Sequence, residues 1–213
     1  MGYLMFKVKF INYLQALIIF LTSMAFFIAF TINFIPLYYW FVVHEKLANI
    51  AKMSVTQLMQ NYHELLAYLN FPWCKQLVLD FKMSTSAKSH FNDVKQLFLL
   101  DYGVLIVGIV LSVWIIYYLK KTKTLWCLMR PLKMLTLIML TLCGGMLINF
   151  EQFFIYFHQV LFNNDTWLFD PSTDPIINVL PSSFFMGCFI LFFTGFLLSI
   201  ISFLWWIKRN EPI

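Results

Sequence analysis

The sequence predicts an all-α membrane protein with four transmembrane helices, and three observations carry that expectation. Apolar residues make up 61% of the 213, charged residues only 12%, and the apolar residues gather into four runs, each long enough to cross a bilayer. About 20 residues at 1.5 Å rise span a hydrocarbon core about 30 Å thick. A mean hydropathy of +0.77 agrees with a chain whose main solvent is lipid.

The first run, about 13–35, follows Lys7 and Lys9 as a signal sequence would. Apolar character continues to Val43 with no small-residue cleavage site, so the segment reads as an uncleaved anchor. Pro36 disturbs its end, and Tyr38, Tyr39 and Trp40 stand where an interfacial aromatic belt is expected. The loop of about 44–96 carries Leu58, Tyr62, Leu65, Leu66 and Leu69 at helical spacing, which predicts an amphipathic helix closed by Pro72. After small polar residues at 84–89, suited to a turn or an N-cap, a helix is expected near His90 and to run into the second span, about 97–119.

The third span, about 132–150, contains Gly144-Gly145, a pair suited to close helix contact. An outer loop of about 151–183 follows, with no Lys or Arg and with turn chemistry at Asp170-Pro171 and Asp174-Pro175. The fourth span is about 184–207. The whole chain, 1–213, reads as a single membrane domain.

Charge orients it. The N-terminus, the Lys120 to Lys133 connector and the C-terminal tail hold nine Lys or Arg and one acid, whereas the remaining segments hold six Lys and nine acids. By the positive-inside rule both termini are inside and the loops 44–96 and 151–183 are outside. The net charge of +5 is thus a topology signal, since the basic residues form no groove for nucleic acid. Cys74, Cys127, Cys143 and Cys188 are spaced neither as a disulfide framework nor as a zinc site.

His44, His63, His90 and His158 all fall in the outward segments. His90 and Asp93, three apart, share a helix face, where a carboxylate can orient or charge an imidazole. Two readings stand at this point: a polar site at the membrane surface, or interfacial histidines with Asp93 as an acid favoured in a first helical turn. Familiar signatures are absent. His63-Glu64-Leu65-Leu66 is followed by Ala67 where a zinc protease requires a second histidine, and no G-x-S-x-G elbow occurs. His158 and Asp165 do not have the H-x-x-x-x-D spacing of glycerolipid acyltransferases. Charged groups are missing from the span interiors, Asp101 near one end excepted, which argues against a transporter.

Three segments resemble the lipoprotein intramolecular transacylase family of Gram-positive bacteria. They are Asn61-Tyr62-His63-Glu64-Leu65-Leu66-Ala67-Tyr68-Leu69, His90-Phe91-Asn92-Asp93-Val94-Lys95, and Phe157-His158 leading through Phe162-Asn163-Asn164-Asp165-Thr166-Trp167 to Asp170-Pro171 and Pro181. The resemblance implies transfer of the sn-2 acyl chain of an S-diacylglyceryl N-terminal cysteine to its own α-amino group, giving a lyso-form lipoprotein. It implies His90 and His158 as catalytic residues facing outward from a bacterial cell membrane, no cofactor or metal, and diacylglyceryl-modified lipoproteins and membrane lipids as partners. Asp93, Tyr62, Asn163, Asp165 and Trp167 are then candidates to line or support the site, against turn chemistry and interfacial anchoring as their alternative roles. Two rivals remain: a non-enzymatic accessory or scaffold protein, and an outer-leaflet lipid hydrolase using the same histidines on water.

Overall fold

The structure, a computed structural model, describes residues 2–210, with side chains from Phe10 onward. Eight α-helices are described: α1 Gly2–Ile32, α2 Ile35–His44, α3 Leu47–Ala51, α4 Val55–Asn70, α5 Thr85–Lys121, α6 Met129–Ile148, α7 Phe150–Leu161 and α8 Ser182–Asn210. Two short 3₁₀ turns, Leu125–Leu128 and Pro175–Val179, complete the described elements. Four helical segments have the length and hydropathy to cross a membrane: Phe10–Ile32, Thr85–Lys121, Leu125–Ile148 and Ser182–Asn210. The chain is a multi-pass membrane protein of all-α fold.

The sequence explains most boundaries. Pro36 sits in the first turn of α2, where its missing N–H costs nothing, and α1 stops just before it at Ile32. Ser54 caps α4 by accepting from Gln57 N–H at 3.1 Å, and α4 ends at Asn70, two residues before Pro72. The helix expected near His90 begins at Thr85 instead, because Ser84 Oγ accepts from Ala87 N–H at 3.0 Å and fixes the start one turn earlier. At 37 residues α5 is about 55 Å long, well beyond a bilayer core, so its polar first part extends past the apolar run 97–119.

The chain forms two compact units. The first comprises residues 1–29, 101–148 and 191–213. Its contacts are close and small. Thr22 Oγ1 and Ser112 Oγ lie 3.0 Å apart, Ser23 Oγ and Ser199 Oγ 2.8 Å apart, and Phe20 meets Phe196 edge to face. The glycine pair expected to mediate close contact does not: nothing lies within 4 Å of a Cβ placed at Gly144 or Gly145. Gly108 and Gly195 do that work, and a Cβ at Gly108 would meet Thr22 Oγ1 at 2.4 Å.

The second unit comprises residues 30–100 and 149–190. Its core joins α2, α3 and α4 to the 3₁₀ turn at Pro175 and to the start of α8, with Tyr38, Leu58, Tyr62, Leu65, Leu66, Leu69, Val179 and Phe184 buried together. The expected amphipathic face of α4 is therefore the core face. Tyr38 departs from its expected place in an interfacial belt: it is 1% exposed, stacks on Tyr62 at 3.9 Å and donates to the Val179 carbonyl at 3.0 Å. Tyr39 and Trp40 remain exposed.

The loop following the third span also begins differently from expectation. The chain breaks at Asn149, whose side chain caps a new helix, α7, by accepting from Gln152 N–H at 3.1 Å. Phe150, Phe153 and Phe157 pack their rings on Phe189, and Phe154 packs on Phe185.

Candidate active site

α5 and α7 each supply one histidine to the second unit, and both imidazoles are buried, each 8% exposed. Their ring centroids lie 5.8 Å apart at an interplanar angle of 35°. His158 follows Phe154 by one turn, so its Nδ1 reaches the Phe154 carbonyl at 2.8 Å. A carbonyl oxygen only accepts, so Nδ1 carries the hydrogen and the neutral ring keeps its lone pair on Nε2.

Aromatic rings enclose the pair. Trp167 stacks on His158 at 4.9 Å, Phe162 meets His90 at 4.9 Å, and Phe169 meets His90 edge-on at 5.5 Å. His90 Nδ1 and Trp167 Nε1 are both buried, and neither has a hydrogen-bond partner. Burial disfavours the charged imidazolium, so His90 is pushed down to about 4, with His158 adding to the effect and Asp93 opposing it. His158 is lowered as well, chiefly by burial, against a contrary pull from its bond to Phe154.

Of the remaining residues singled out in the sequence, Trp167 joins the histidines directly. Asp93 makes no hydrogen bond to His90; its carboxylate accepts instead from Asn164 Nδ2 at 3.1 Å. That contact joins the segment after α7 to the α5 turn that carries His90. Tyr62 lies in the core against Tyr38 and Phe184. Asn163 and Asp165 are exposed, and among the described residues their side chains make no hydrogen bond or ring contact to either histidine. Asn164, Phe154, Phe162 and Phe169 were not singled out. The Phe154, His158, Phe162 spacing of four residues was the signal available for two of these positions.

Two polar clamps hold the surrounding segments. Asn61 donates from Nδ2 to Asp80 at 3.0 Å and accepts from the Asp80 N–H at 2.7 Å, which ties residues 71–83 to α4. Asp174, 3% exposed, accepts from Ser84 N–H at 2.6 Å and from Thr173 at 2.8 Å, fixing the start of α5. Lys95, also buried, donates to the Cys74 carbonyl and lies over the Tyr68 ring at 4.3 Å. No group of three His, Cys, Asp or Glu side chains converges among the described residues.

These features define a multi-pass membrane protein whose buried imidazoles meet outside its apolar runs, a constellation suited to proton transfer. The profile of the family described as lipoprotein intramolecular transacylase Lit matches residues 13–185, and the chain belongs to that family, which makes it an acyltransferase. No curated protein sequence gives a significant match. Among solved structures it is similar to the in meso structure of the membrane-integral lipoprotein intramolecular transacylase Lit from Bacillus cereus. The identity is 28% and the TM-score 0.86, over 96% of this chain and 98% of that one. Two variants of the same Bacillus cereus protein also match. One, with a histidine replaced by alanine, has 28% identity and a TM-score of 0.82 over 98% of this chain and 96% of that one. The other, with a histidine replaced by arginine, has 26% identity and a TM-score of 0.75 over 99% and 97%.

Proposed function

We propose that this chain moves the sn-2 acyl group of an S-diacylglyceryl N-terminal cysteine onto the α-amino nitrogen of the same cysteine, by histidine acid–base catalysis at the outer leaflet of a bacterial cell membrane. The observation that carries the reading is the buried pair His90 and His158, with the tautomer of His158 set by the Phe154 carbonyl. The lysine and arginine asymmetry supports the outward orientation.

The substrate amine has an ordinary pKa of about 8 and is mostly an unreactive ammonium ion at neutral pH. Its minor neutral form reacts, the first proton having been lost to solvent before His158 acts. The nitrogen lone pair then attacks the ester carbonyl carbon, the C–N bond forms and the carbonyl electrons move to oxygen. His158 Nε2 accepts the proton released by the attacking nitrogen. As the tetrahedral intermediate collapses, the bond to the sn-2 oxygen breaks and His158 returns a proton to that oxygen. The products are an amide and a free secondary hydroxyl, with no water consumed.

His90 fits a different task. Held neutral by burial, it keeps one N–H to offer, as does Trp167 Nε1, and both have a buried atom without a partner. Buried polar atoms are nearly always paired, so these two are the groups best suited to meet the developing oxyanion. Because amine and ester belong to one molecule, holding them at near-attack distance is itself a large source of rate.

Mass spectrometry of a purified diacylated lipopeptide before and after incubation tests the reaction. Transfer leaves the mass unchanged and moves one acyl chain to nitrogen. Loss of one acyl chain as free fatty acid assigns the histidines to hydrolysis instead, and an unaltered substrate favours an accessory role.

A further inference from the structure

Residues 74–83, between α4 and α5, present an unusual combination for an all-helical chain. Residues 74–79 and 82–84 are neither helical nor turned, and the chain bends between them at Asp80 and Phe81. From Gln76 to Met83 exposure alternates without a break: Gln76, Val78, Asp80 and Lys82 are exposed, while Leu77, Leu79, Phe81 and Met83 are partly buried against the core. That period of two is the mark of an extended strand with one face on a core. Asp80 spends its N–H on Asn61. Among the described residues the backbones of 75–79 and 81–83 make no hydrogen bond. An extended backbone with unspent donors and acceptors is a template for pairing with another extended chain.

Beside this segment runs an open groove of about 540 Å³, lined by Leu77, Val78, Leu79, Phe81, Lys82, Met83 and Lys88. Its exposed charge is mainly positive. Neither Lys82 nor Lys88 forms an ion pair among the described residues; of the carboxylates beside the segment, Asp80 is hydrogen-bonded by Asn61 and Gln57, and Asp174 is buried against the Ser84 N–H. Lys88 is two residues ahead of His90 on α5, a rise of about 3 Å, so the groove reaches the helical turn that carries His90, on the face away from its buried imidazole.

We propose that residues 75–83 act as a lone docking strand for the polypeptide that follows the lipidated cysteine of the substrate, pairing with its backbone while Lys82 and Lys88 favour acidic side chains in it. This rests on the transacylase reading above and adds to it a binding site for the peptide portion of the substrate. Backbone pairing tolerates many sequences, which suits an enzyme meeting substrates that share only a lipidated terminus.

The test uses the purified full-length protein in neutral-lipid vesicles, with synthetic substrates: a diacylglyceryl cysteine amide, the same cysteine followed by eight residues, and versions of the longer one carrying a single backbone N-methyl group at each position in turn. The proposal expects the longer substrate to have the lower KM, and N-methylation to raise KM roughly tenfold at alternate positions with little effect between them. It also expects an acidic tail to be preferred over a basic one, and that order to reverse in the Lys82→Glu, Lys88→Glu double variant. Acyl transfer with equal KM for all substrates, or an N-methyl effect without alternation, overturns the docking strand and leaves the transacylase reading intact. A KM that follows the anionic lipid content of the vesicles instead of the peptide tail assigns the lysines to headgroups and also overturns it. No acyl transfer with any substrate overturns both.

Discussion

The two units of the molecule are held together by different physics. The unit built from residues 1–29, 101–148 and 191–213 leaves large apolar side chains such as Val110, Leu137 and Leu147 exposed and makes its contacts through hydroxyl pairs and glycines. The unit built from 30–100 and 149–190 buries tyrosine and phenylalanine in quantity and spends polar side chains on clamps. Lipid is as apolar as leucine, so helices within it gain little from hiding apolar surface and associate through close packing and interhelical hydrogen bonds. Outside lipid, burial of aromatic area becomes the main source of stability. The histidines lie in the second kind of unit, where a core can hold two rings in fixed relation.

The sharpest contrast should appear in core truncations. Tyr38→Ala removes a ring stacked on Tyr62 and a hydrogen bond to Val179, and should cost about 3–5 kcal/mol. Val110→Ala, at a side chain 67% exposed, should stay within about 0.5 kcal/mol. Denaturant unfolding in detergent micelles measures both, and equal losses would erase the distinction between the units. A smaller effect separates the glycines. Gly108→Ala should destabilise by about 1–3 kcal/mol because its Cβ meets Thr22, whereas Gly144→Ala should be neutral or mildly stabilising through helix propensity.

A third effect depends on pH. His90 has a folded-state pKa near 4, below its unfolded value, so the folded state binds fewer protons between these limits. Its contribution to stability is present above about 6.5 and is lost as pH falls toward 4. Asp80, held below the usual carboxylate range first by Asn61 and then by Gln57, contributes only lower in the acid range. Thermal unfolding followed from pH 7 to 4 should therefore show a shallower decline in His90→Asn than in the wild type. The smallest effect is expected of Asn164→Ala, which frees the Asp93 carboxylate: about a threefold to tenfold lower kcat with the fold retained, read in the lipopeptide assay.

The spans were legible because hydropathy reports on lipid directly. Parts of the remainder were not, for identifiable reasons. The residues that became α7 carry phenylalanines at helical spacing, yet the acids and turn signals downstream dominate the reading of 151–183 as a loop. The start of α5 was displaced because several serines in 84–89 are suited to capping, and Asp174, distant in sequence, helps to select Ser84. Gly144-Gly145 shows that small residues mark where an approach is permitted without saying whether a partner arrives. At the site, both histidines were visible as polar residues beside apolar runs. Their juxtaposition was not, since it depends on the new helix that Asn149 caps and on the aromatic rings that pack α7 on Phe189.

The claim that these two imidazoles form one catalytic site is tested most directly by single-turnover acyl migration in the purified wild type, His158→Asn and His90→Phe, with folding checked by thermal unfolding. Removal of a general base or of an oxyanion donor should slow the transfer step by about 10²–10⁴-fold in each variant without destroying the fold. Folded variants that transfer the acyl group at the wild-type rate would contradict the account.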